Sequence, residues 1–310
     1  MSIFRESLLW ASQNEWLKKN VPEQKFVQSA LKKFMPGEAL EDAIREALLF
    51  RQLSIPTVFT RLGENITNLD EGIAVKEHYL KSLDIIKTND LDTEISIKLT
   101  QLGFDLSEEE TKKNFREIAL KVKELLPSSD LFIDMEGSDY TERTIKFYKD
   151  MKTELTNIGI CLQAYLHLTN GDIDDLLPLD PKIRLVKGAY RELPHIAIQD
   201  KAIVDQNYYK LSQKLLTAVK EKGIRAIFAT HDEELIYKII LSGKQIGLER
   251  ERIEFQMLYG IKPTLQKKLA AEGYTLRVLI SYGSAWYPWY MRRLAERPAN
   301  VMFVLKNIFE

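Results

Sequence analysis

Eight short apolar runs alternate with amphipathic helical segments along most of this chain, and this alternation limits the possible folds more than any other feature. The runs are PTVFT (56–60), EISIKL (94–99), LFIDM (131–135), IGICLQAYL (158–166), IRLVKG (183–188), IRAIFAT (224–230), IEFQML (253–258) and LRVLIS (276–281). Most are apolar at both odd and even positions, as parallel strands covered on both faces are. Eight strands separated by helices, at a spacing of about 25–40 residues, predict an α/β fold, a (β/α)8 barrel of the TIM type.

A doubly wound open sheet is the competing fold. It is disfavoured because no apolar run is followed by a G-x-G-x-x-G motif or a P-loop. The chain contains no linker-like or low-complexity tract. We therefore expect a helical N-terminal extension over residues 1–52 and one barrel domain over 53–310, with closing helices after the eighth strand, the last of which begins at Pro298.

Composition excludes several classes of protein. The 44 Lys and Arg residues nearly balance the 45 Asp and Glu residues, which argues against nucleic acid as a partner. The one cysteine, Cys161, precludes an intrachain disulfide and lies in an apolar run, which predicts a buried thiol. No apolar stretch approaches the ~20 residues of a transmembrane helix, and no signal-peptide core is visible. We expect a cytoplasmic protein, and attachment to a membrane surface stays open.

Polar side chains interrupt the apolar runs at or near their carboxyl ends. The residues concerned are Lys98, Asp134, Glu136, Gln163, Arg184, Lys187, Thr230, His231 and Gln256. One such residue alone is as often a fraying strand end or half of a structural ion pair. Several strands share the placement, however, and TIM-barrel active sites lie at this face. Since an unpartnered buried charge is costly, we expect Lys98, Asp134 and Arg184 to be functional.

The stretch SYGSAWYPWYMRRLAERPAN (281–300) follows the eighth strand and predicts a helix over about residues 287–296. In that helix Arg292 and Glu296 share a face, and Arg293 lies beside them. Two neighbouring guanidinium groups suit a carboxylate. A solvated surface helix is the alternative, but the aromatic residues favour a walled pocket, and they are Trp286, Tyr287, Trp289 and Tyr290. The sequence therefore predicts a site for a small carboxylic acid.

The chain resembles the monofunctional bacterial proline dehydrogenases, FAD-dependent barrel enzymes that oxidise L-proline. The similarity runs in order from about residue 56 to the end of the chain. The matching segments are TRLGENI (60–66), ISIKLTQLG (95–103), FIDMEGSDYTERT (132–144), LQAYL (162–166), RLVKGAYRE (184–192), ATHDEELI (229–236), EFQMLYGI (254–261) and YMRRLAERPAN (290–300). RLVKGAY and RRLAERPAN are the most specific of these. The resemblance implies the same fold and the same reaction, hydride transfer from proline C5 to flavin N5.

The resemblance also implies roles for substrate-binding residues. Lys98, Arg292 and Arg293 would bind the proline carboxylate. Glu296 would help to set the arginine pair. Glu64, in the loop after the first strand, would pair with Arg292 as a gate over the bound substrate.

Catalytic and cofactor roles follow from the same resemblance. Asp134 would lie beside the amino acid and orient Lys98, and Arg184 would contact flavin N5. The residues that would hold FAD are Met135, Gln163, Arg184, Lys187, Gly188, Ala189, Tyr190, Thr230 and His231. No second histidine or acid at ligand spacing supports a metal at His231. The implied electron acceptor is a quinone.

One position departs from the family pattern. Many members carry tyrosine where this chain has Leu279, and that tyrosine packs against the proline ring. The departure leaves the selectivity between proline and hydroxyproline open. Two other functions stay as alternatives: a Schiff-base aldolase or lyase that uses Lys98 or Lys187, and a non-catalytic barrel that binds a small acid.

Overall fold

The fold is a closed barrel of eight parallel strands in sequence order, as the alternation of the sequence predicts. A computed structural model describes residues 10, 14, 16, 31–63 and 66–296, with side chains to residue 294. The strands are β1 (Thr57–Arg61), β2 (Thr93–Ile97), β3 (Leu131–Ile133), β4 (Ile158–Gln163), β5 (Lys182–Val186), β6 (Arg225–Ala229), β7 (Glu254–Leu258) and β8 (Thr275–Tyr282). Pairing of β1 with β8, from Thr57↔Val278 to Arg61↔Tyr282, closes the sheet.

Among the α-helices whose bounds the structure describes, one precedes the barrel and one follows each strand. The helices are α1 (Leu40–Gln52), α2 (Leu69–Thr88), α3 (Glu108–Leu125), α4 (Ser138–Lys152), α5 (Thr169–Leu176), α6 (Lys201–Lys222), α7 (Glu233–Gln245), α8 (Pro263–Ala271) and α9 (Tyr287–Glu296). Side-chain caps mark several helix starts: Asn68, Ser107, Asp200 and Asp232 accept hydrogen bonds from backbone N–H groups of the first turn. The bounds of α9 agree with the helix that the sequence predicts.

The main apolar core lies between the barrel and its helices. On α3, Phe115, Ile118 and Val122 are buried at helical spacing against the sheet. Phe115 and Phe104 both pack edge-on against Phe147 of α4. This packing fixes the helices around the barrel and so fixes the loops that leave the carboxyl ends of the strands.

The interior of the barrel at the amino ends of the strands is ionic, a feature that was not predicted from the sequence. It contains three acids and three bases: Glu94, Asp130, Glu254, Lys182, Arg225 and Arg277. Arg225 on β6 donates to Glu94 on β2 at 2.5 Å and to Glu254 on β7 at 2.6 Å. Since β2 and β6 are not neighbours, these side chains meet inside the barrel. We call these six residues the basal ion cluster.

Opposite charges in the basal ion cluster stabilise one another. Burial raises the pKa of Glu94, but the charges of Arg277 and Arg225 outweigh it, and the pKa lies below its ordinary value. Burial lowers the pKa of Arg225, but Glu94 and Glu254 outweigh it, so the pKa is raised. Glu94 and Arg225 therefore stay ionised at neutral pH, and the cluster lies at the end of the barrel opposite the carboxyl ends of the strands.

The helix α1 and the segment before it pack on the barrel. Leu40, Ala43 and Ala47 of α1 belong to the same buried core as the strands. Residues 31–35 pack against α9 in a second cluster that contains Leu31 and Trp286. Apart from residues 10, 14 and 16, the N-terminal helices expected before residue 31 lie outside the described residues, as does the closing helix from Pro298. The domain boundary at 52 stays a prediction.

Two further expectations concern burial and the membrane. Cys161 is a buried free thiol, and burial raises its pKa. Within the part of the chain that the structure describes, no helix combines the length and the apolar character needed to span a bilayer.

Candidate active site

Asp134 and Arg184 meet inside the barrel near the carboxyl ends of β3 and β5. Arg184 is 3% exposed and donates through Nη2 to Asp134 Oδ1 and to Ser96 Oγ, the latter at 3.0 Å. Its Nη1 donates to Gln256 Oε1 at 3.1 Å. Ser96 Oγ donates to Asp134 Oδ1 at 2.6 Å, and Thr60 Oγ1 donates to Asp134 Oδ2 at 3.4 Å. Residues of β1, β2, β5 and β7, and the residue that directly follows β3, thus converge in one ion pair and its hydrogen bonds.

Asp134 is ionised at neutral pH. Burial raises its pKa, but the positive charges of Arg184 and Lys98 and the hydrogen bond from Ser96 outweigh burial, so the pKa lies below its ordinary value. Lys98, which follows β2, is itself buried. The structure therefore brings together the three residues that the sequence marks as the strongest candidates, with two positive charges around one negative charge.

Several buried polar atoms at this end of the barrel have no hydrogen-bond partner among the described residues. They include Gln163 Oε1, Gln256 Nε2 and Ser281 Oγ. The amide nitrogen of Gln163 is held by the carbonyl oxygens of Met135 and Glu136 at 3.2 and 3.0 Å, which directs the other amide atom away from the backbone. Buried polar atoms of this kind are characteristic of sites that a polar ligand completes.

The loop after β5 is fixed to two neighbouring elements by Lys187. Its ammonium group lies 2.5 Å from Asp205 Oδ1 on α6 and 3.0 Å from Asp232 Oδ2, the cap of α7. A Schiff-base lysine needs an apolar pocket or a neighbouring cation. Because Lys187 has two carboxylates instead, the aldolase alternative is disfavoured for that residue.

Gly188 has a conformation that favours glycine, with φ of +116°. A β-carbon at this position would lie 2.2 Å from the ring of Tyr165. The requirement for glycine thus comes from the close approach of the loop to Tyr165. Ala189, which follows Gly188, is half-buried.

The same loop contacts α9 and α4. The guanidinium carbon of Arg292 lies 5.1 Å from the centroid of the Tyr190 ring, within the range of a cation–π interaction. Glu192 accepts hydrogen bonds from the backbone N–H of Ser138 at 2.8 Å and from its hydroxyl group at 2.5 Å. The buried Arg292 is therefore brought to the loop after β5, at the face formed by the carboxyl ends of the strands.

The second arginine of α9 and the leucine of β8 complete the predicted substrate residues. Arg293 is half-buried, and its guanidinium carbon lies 6.0 Å from the centroid of the Trp289 ring. Leu279 is half-buried and follows the inward Arg277 by two positions, so it faces the barrel interior. Glu64 lies outside the described residues, and so does the side chain of Glu296.

Thr230 and His231 follow β6. The hydroxyl oxygen of Thr230 accepts a hydrogen bond from the backbone N–H of Asp232 at 3.1 Å. His231 Nε2 accepts one from the backbone N–H of Leu258 at 2.8 Å. Within the described ranges, no group of three or more His, Cys, Asp or Glu residues is placed to hold a metal ion.

Ser96 and Thr60, the neutral partners of the ion pair, were not predicted from the sequence. A signal for Ser96 was present: Glu94, Ser96 and Lys98 alternate along β2, and alternate residues of a strand face the same side. Gln256 was noted as a polar interruption but received no role.

Comparison with known proteins finds relatives that match nearly the whole chain. The family model described as proline dehydrogenase matches residues 43–306. The chain is 36% identical over 312 residues to proline dehydrogenase 1 of Bacillus subtilis strain 168, covering 99% of this chain and 100% of that protein. It is 34% identical over 283 residues to a proline dehydrogenase of Deinococcus radiodurans, covering 90% and 89%.

A solved structure shares the fold. The structure of proline utilization A from Bdellovibrio bacteriovorus, inactivated by N-propargylglycine, superimposes with a TM-score of 0.80 at 23% identity. The match covers 95% of this chain and 36% of that longer protein.

Proposed function

The chain belongs to the proline dehydrogenase family, and on that premise we propose that it oxidises L-proline to (S)-1-pyrroline-5-carboxylate with FAD as cofactor. The observation that carries the proposal is the Arg184–Asp134 ion pair, buried near the carboxyl ends of the strands beside Lys98. A buried site with an excess of positive charge, at the face where barrel enzymes do their chemistry, suits an anionic substrate.

The residues at the barrel mouth fit a flavin. An isoalloxazine ring has carbonyl oxygens, ring nitrogens and an N–H group along its edge. Gln163 Oε1 and Gln256 Nε2 are a buried acceptor and a buried donor that have no partner in the described part of the chain. Arg184 adds a cation to the same interior. Such a donor set would satisfy the polar edge of a flat heteroaromatic ring.

We propose that FAD is held by residues of the β3, β4, β5 and β6 tips: Met135, Gln163, Arg184, Lys187, Gly188, Ala189, Tyr190, Thr230 and His231. When bound, FAD would accept the hydride that leaves proline C5 and pass the electrons on to a quinone. The quinone would bring the protein to a membrane surface during turnover.

The substrate carboxylate would be bound by Lys98, Arg292 and Arg293. Lys98 is buried inside the barrel, and Arg292 is buried against the loop after β5. Charge-assisted hydrogen bonds from two elements would hold the proline in one orientation, with C5 directed towards the cofactor. Glu296 and Glu64 would adjust the arginine pair and cover the substrate.

Asp134 would orient its two cationic neighbours. Because its pKa is held below the ordinary value, it is an anion at neutral pH and does not serve as a proton donor. It accepts hydrogen bonds from Arg184, Ser96 and Thr60. We propose that this carboxylate keeps Lys98 and Arg184 at fixed positions while the unprotonated proline nitrogen assists hydride departure.

The primary experiment is an absorption spectrum of the purified protein, followed by anaerobic addition of L-proline. A flavin spectrum that bleaches with L-proline supports the proposal. A colourless protein that gains no flavin on incubation with FAD, or a flavin that L-proline does not reduce, contradicts it.

The carboxylate site is tested by the variant Arg292→Met. Loss of a charge-assisted hydrogen bond of about 1.5–3 kcal/mol raises KM for L-proline by roughly 10- to 100-fold. The flavin content stays unchanged, because Arg292 is not among the proposed FAD residues. Arg116→Met is the matched control, since Arg116 lies on the outer surface and pairs with Glu154. A wild-type KM in Arg292→Met would refute the carboxylate role.

A further inference from the structure

A single aromatic ring inside the barrel contacts one arginine of the proposed active site and one arginine of the basal ion cluster. The guanidinium carbons of Arg184 and Arg225 each lie 5.4 Å from the centroid of the Phe132 ring. Phe132 is fully buried, on β3, two residues before Asp134. Arg184 pairs in register with Ile227, two residues beyond Arg225 along β6. The ring therefore connects one layer of the barrel interior with the next.

The space for this ring is provided by a glycine on the neighbouring strand. Phe132 pairs in register with Gly159 of β4. A β-carbon on Gly159 would lie 2.4 Å from Phe132 Cε1, much closer than a van der Waals contact. Any side chain at residue 159 would thus displace the ring, although residue 159 itself contributes no group to the active site.

The Phe132 ring affects the position of the Arg184 side chain. The polar contacts of this guanidinium group go to Asp134, Ser96 and Gln256, and the thiol of Cys161, its register partner on β4, also lies against it. Two guanidinium groups in a dry interior repel each other, and the negative face of an aromatic ring attracts both. Phe132 thus supplies a surface that supports Arg184 and separates it from the charge of Arg225.

We propose that Phe132 is a positioning residue that holds Arg184 at the height required for its contact with the cofactor, and that Gly159 serves this arrangement by leaving room for the ring. This inference rests on the proposed function for the role of Arg184, and on the geometry of the barrel interior for the role of Phe132.

Two single variants and their combination test the inference in the holoenzyme. Phe132→Leu removes the ring, and Gly159→Ala pushes the ring away without changing any residue of the site. In each single variant we expect kcat, normalised to flavin content, to fall roughly 10- to 100-fold, since displacements near 1 Å have effects of this size. KM for L-proline changes less than about threefold, because Arg184 is not one of the proposed carboxylate ligands.

A redox titration provides a measurement that a loss of stability alone would not alter. The midpoint potential of the bound flavin moves to more negative values in both single variants, because a positive charge that favours the reduced form lies farther away. In the double variant the leucine leaves room for the new methyl group. Gly159→Ala therefore causes no further loss of kcat in a protein that already carries Phe132→Leu. The effects of the two substitutions on kcat are non-additive because both act through the same contact.

Phe228→Leu is the matched control, because Phe228 is equally buried but packs outside the barrel against Phe255. We expect this control to lower thermal stability and to leave kcat and the midpoint potential unchanged. An equal loss of kcat in the control, or wild-type kcat and potential in Gly159→Ala, would overturn the inference. If Phe132→Leu does not fold, Gly159→Ala decides the question.

A crystal structure of Gly159→Ala tests the inference independently of the proposed reaction. We expect the contacts of Arg184 with Ser96 and Gln256, now 3.0 and 3.1 Å, to lengthen beyond hydrogen-bonding distance. If wild-type protein shows no proline oxidation, the proposed function fails, and these distances still decide whether Phe132 positions Arg184.

Discussion

The basal ion cluster leads to a quantitative prediction for the variant Glu94→Gln. The side chain of Glu94 is completely buried, and its carboxylate contacts Arg225 at 2.5 Å and Arg277 at 3.6 Å. Glutamine has almost the same shape but no charge. The substitution leaves Asp130 and Glu254 as the buried acids of the cluster, together with the exposed Asp92, which lies 2.8 Å from Arg277. Arg225 and Arg277 therefore lose the fully buried carboxylate that they share.

The expected loss of unfolding free energy is about 3–5 kcal/mol, the range for removing one partner of a buried ion pair. The same change on the surface gives a scale for comparison. Glu154 makes a two-point contact with Arg116 at 2.9 and 2.6 Å, but about 40% of each side chain is exposed. For Glu154→Gln we expect a loss of less than about 1 kcal/mol.

Urea unfolding of both variants, followed by circular dichroism at saturating FAD, measures the two losses. We expect a lower midpoint for Glu94→Gln with an unchanged slope, because the change affects stability and not the surface exposed on unfolding. A loss in Glu94→Gln no larger than that in Glu154→Gln would refute the reasoning that the cluster depends on balanced charge.

The pH dependence gives a second measurement on the same pair of proteins. The folded-state pKa of Glu94 is lowered, so its contribution is present above the ordinary value of about 4.3 and is lost as the pH falls through the folded-state value. We therefore expect the difference in unfolding free energy between wild type and Glu94→Gln to be constant near neutral pH and to become smaller in acid. A difference that widens in acid would contradict this.

Three further predictions concern single positions. Gly188→Ala is expected to lower the flavin content of the purified protein, measured by absorbance. Gly188 has φ of +116°, and a β-carbon there would lie 2.2 Å from the Tyr165 ring. An unchanged flavin content would contradict this. Gly260→Ala is expected to speed proteolysis near Lys33. Gly260 has φ of +74°, and a β-carbon there would lie 1.6 Å from the carbonyl oxygen of Lys33. A wild-type rate of cleavage would argue against that contact. Burial lowers the pKa of His78 to about 4, so we expect its NMR titration midpoint near pH 4. Because the unfolded chain binds the proton first, the free energy of unfolding declines as the pH falls from about 6.5 to about 4. A titration midpoint near 6.5 would contradict this.

The strand pattern and the site candidates were available in the sequence. The apolar runs predicted all eight strands, because a short run of apolar residues between helical segments is a local property of consecutive positions. Lys98, Asp134 and Arg184 were recognised because polar residues at the ends of apolar runs are unusual, and the carboxyl ends of parallel strands meet at one face. The specific roles of these residues in catalysis and binding stay predictions.

The ionic interior at the amino ends of the strands was not predicted, and the reason is physical. The apolar runs are apolar at most odd and even positions, and this pattern gives no indication of charges at their amino ends. Polar side chains such as Glu94 and Arg225 do occupy inward positions at the amino ends of the strands. In the sequence, however, a polar residue at the end of a strand is equally consistent with an exposed position. Lys187 shows the converse case: the sequence assigns it to the cofactor, and the structure adds two carboxylates, Asp205 and Asp232, that no local pattern indicates.

The sequence by itself determined the barrel, the order of its strands, the helix after β8 and the identity of the charged residues near the strand tips. Only the tertiary structure decided which of those charges meet. Glu94 and Arg225 are 131 residues apart, and Ser96 and Arg184 are 88 apart. Their contacts cross the barrel interior and depend on how the sheet closes and on the register of every intervening strand, so no single segment of the chain contains the information that pairs them.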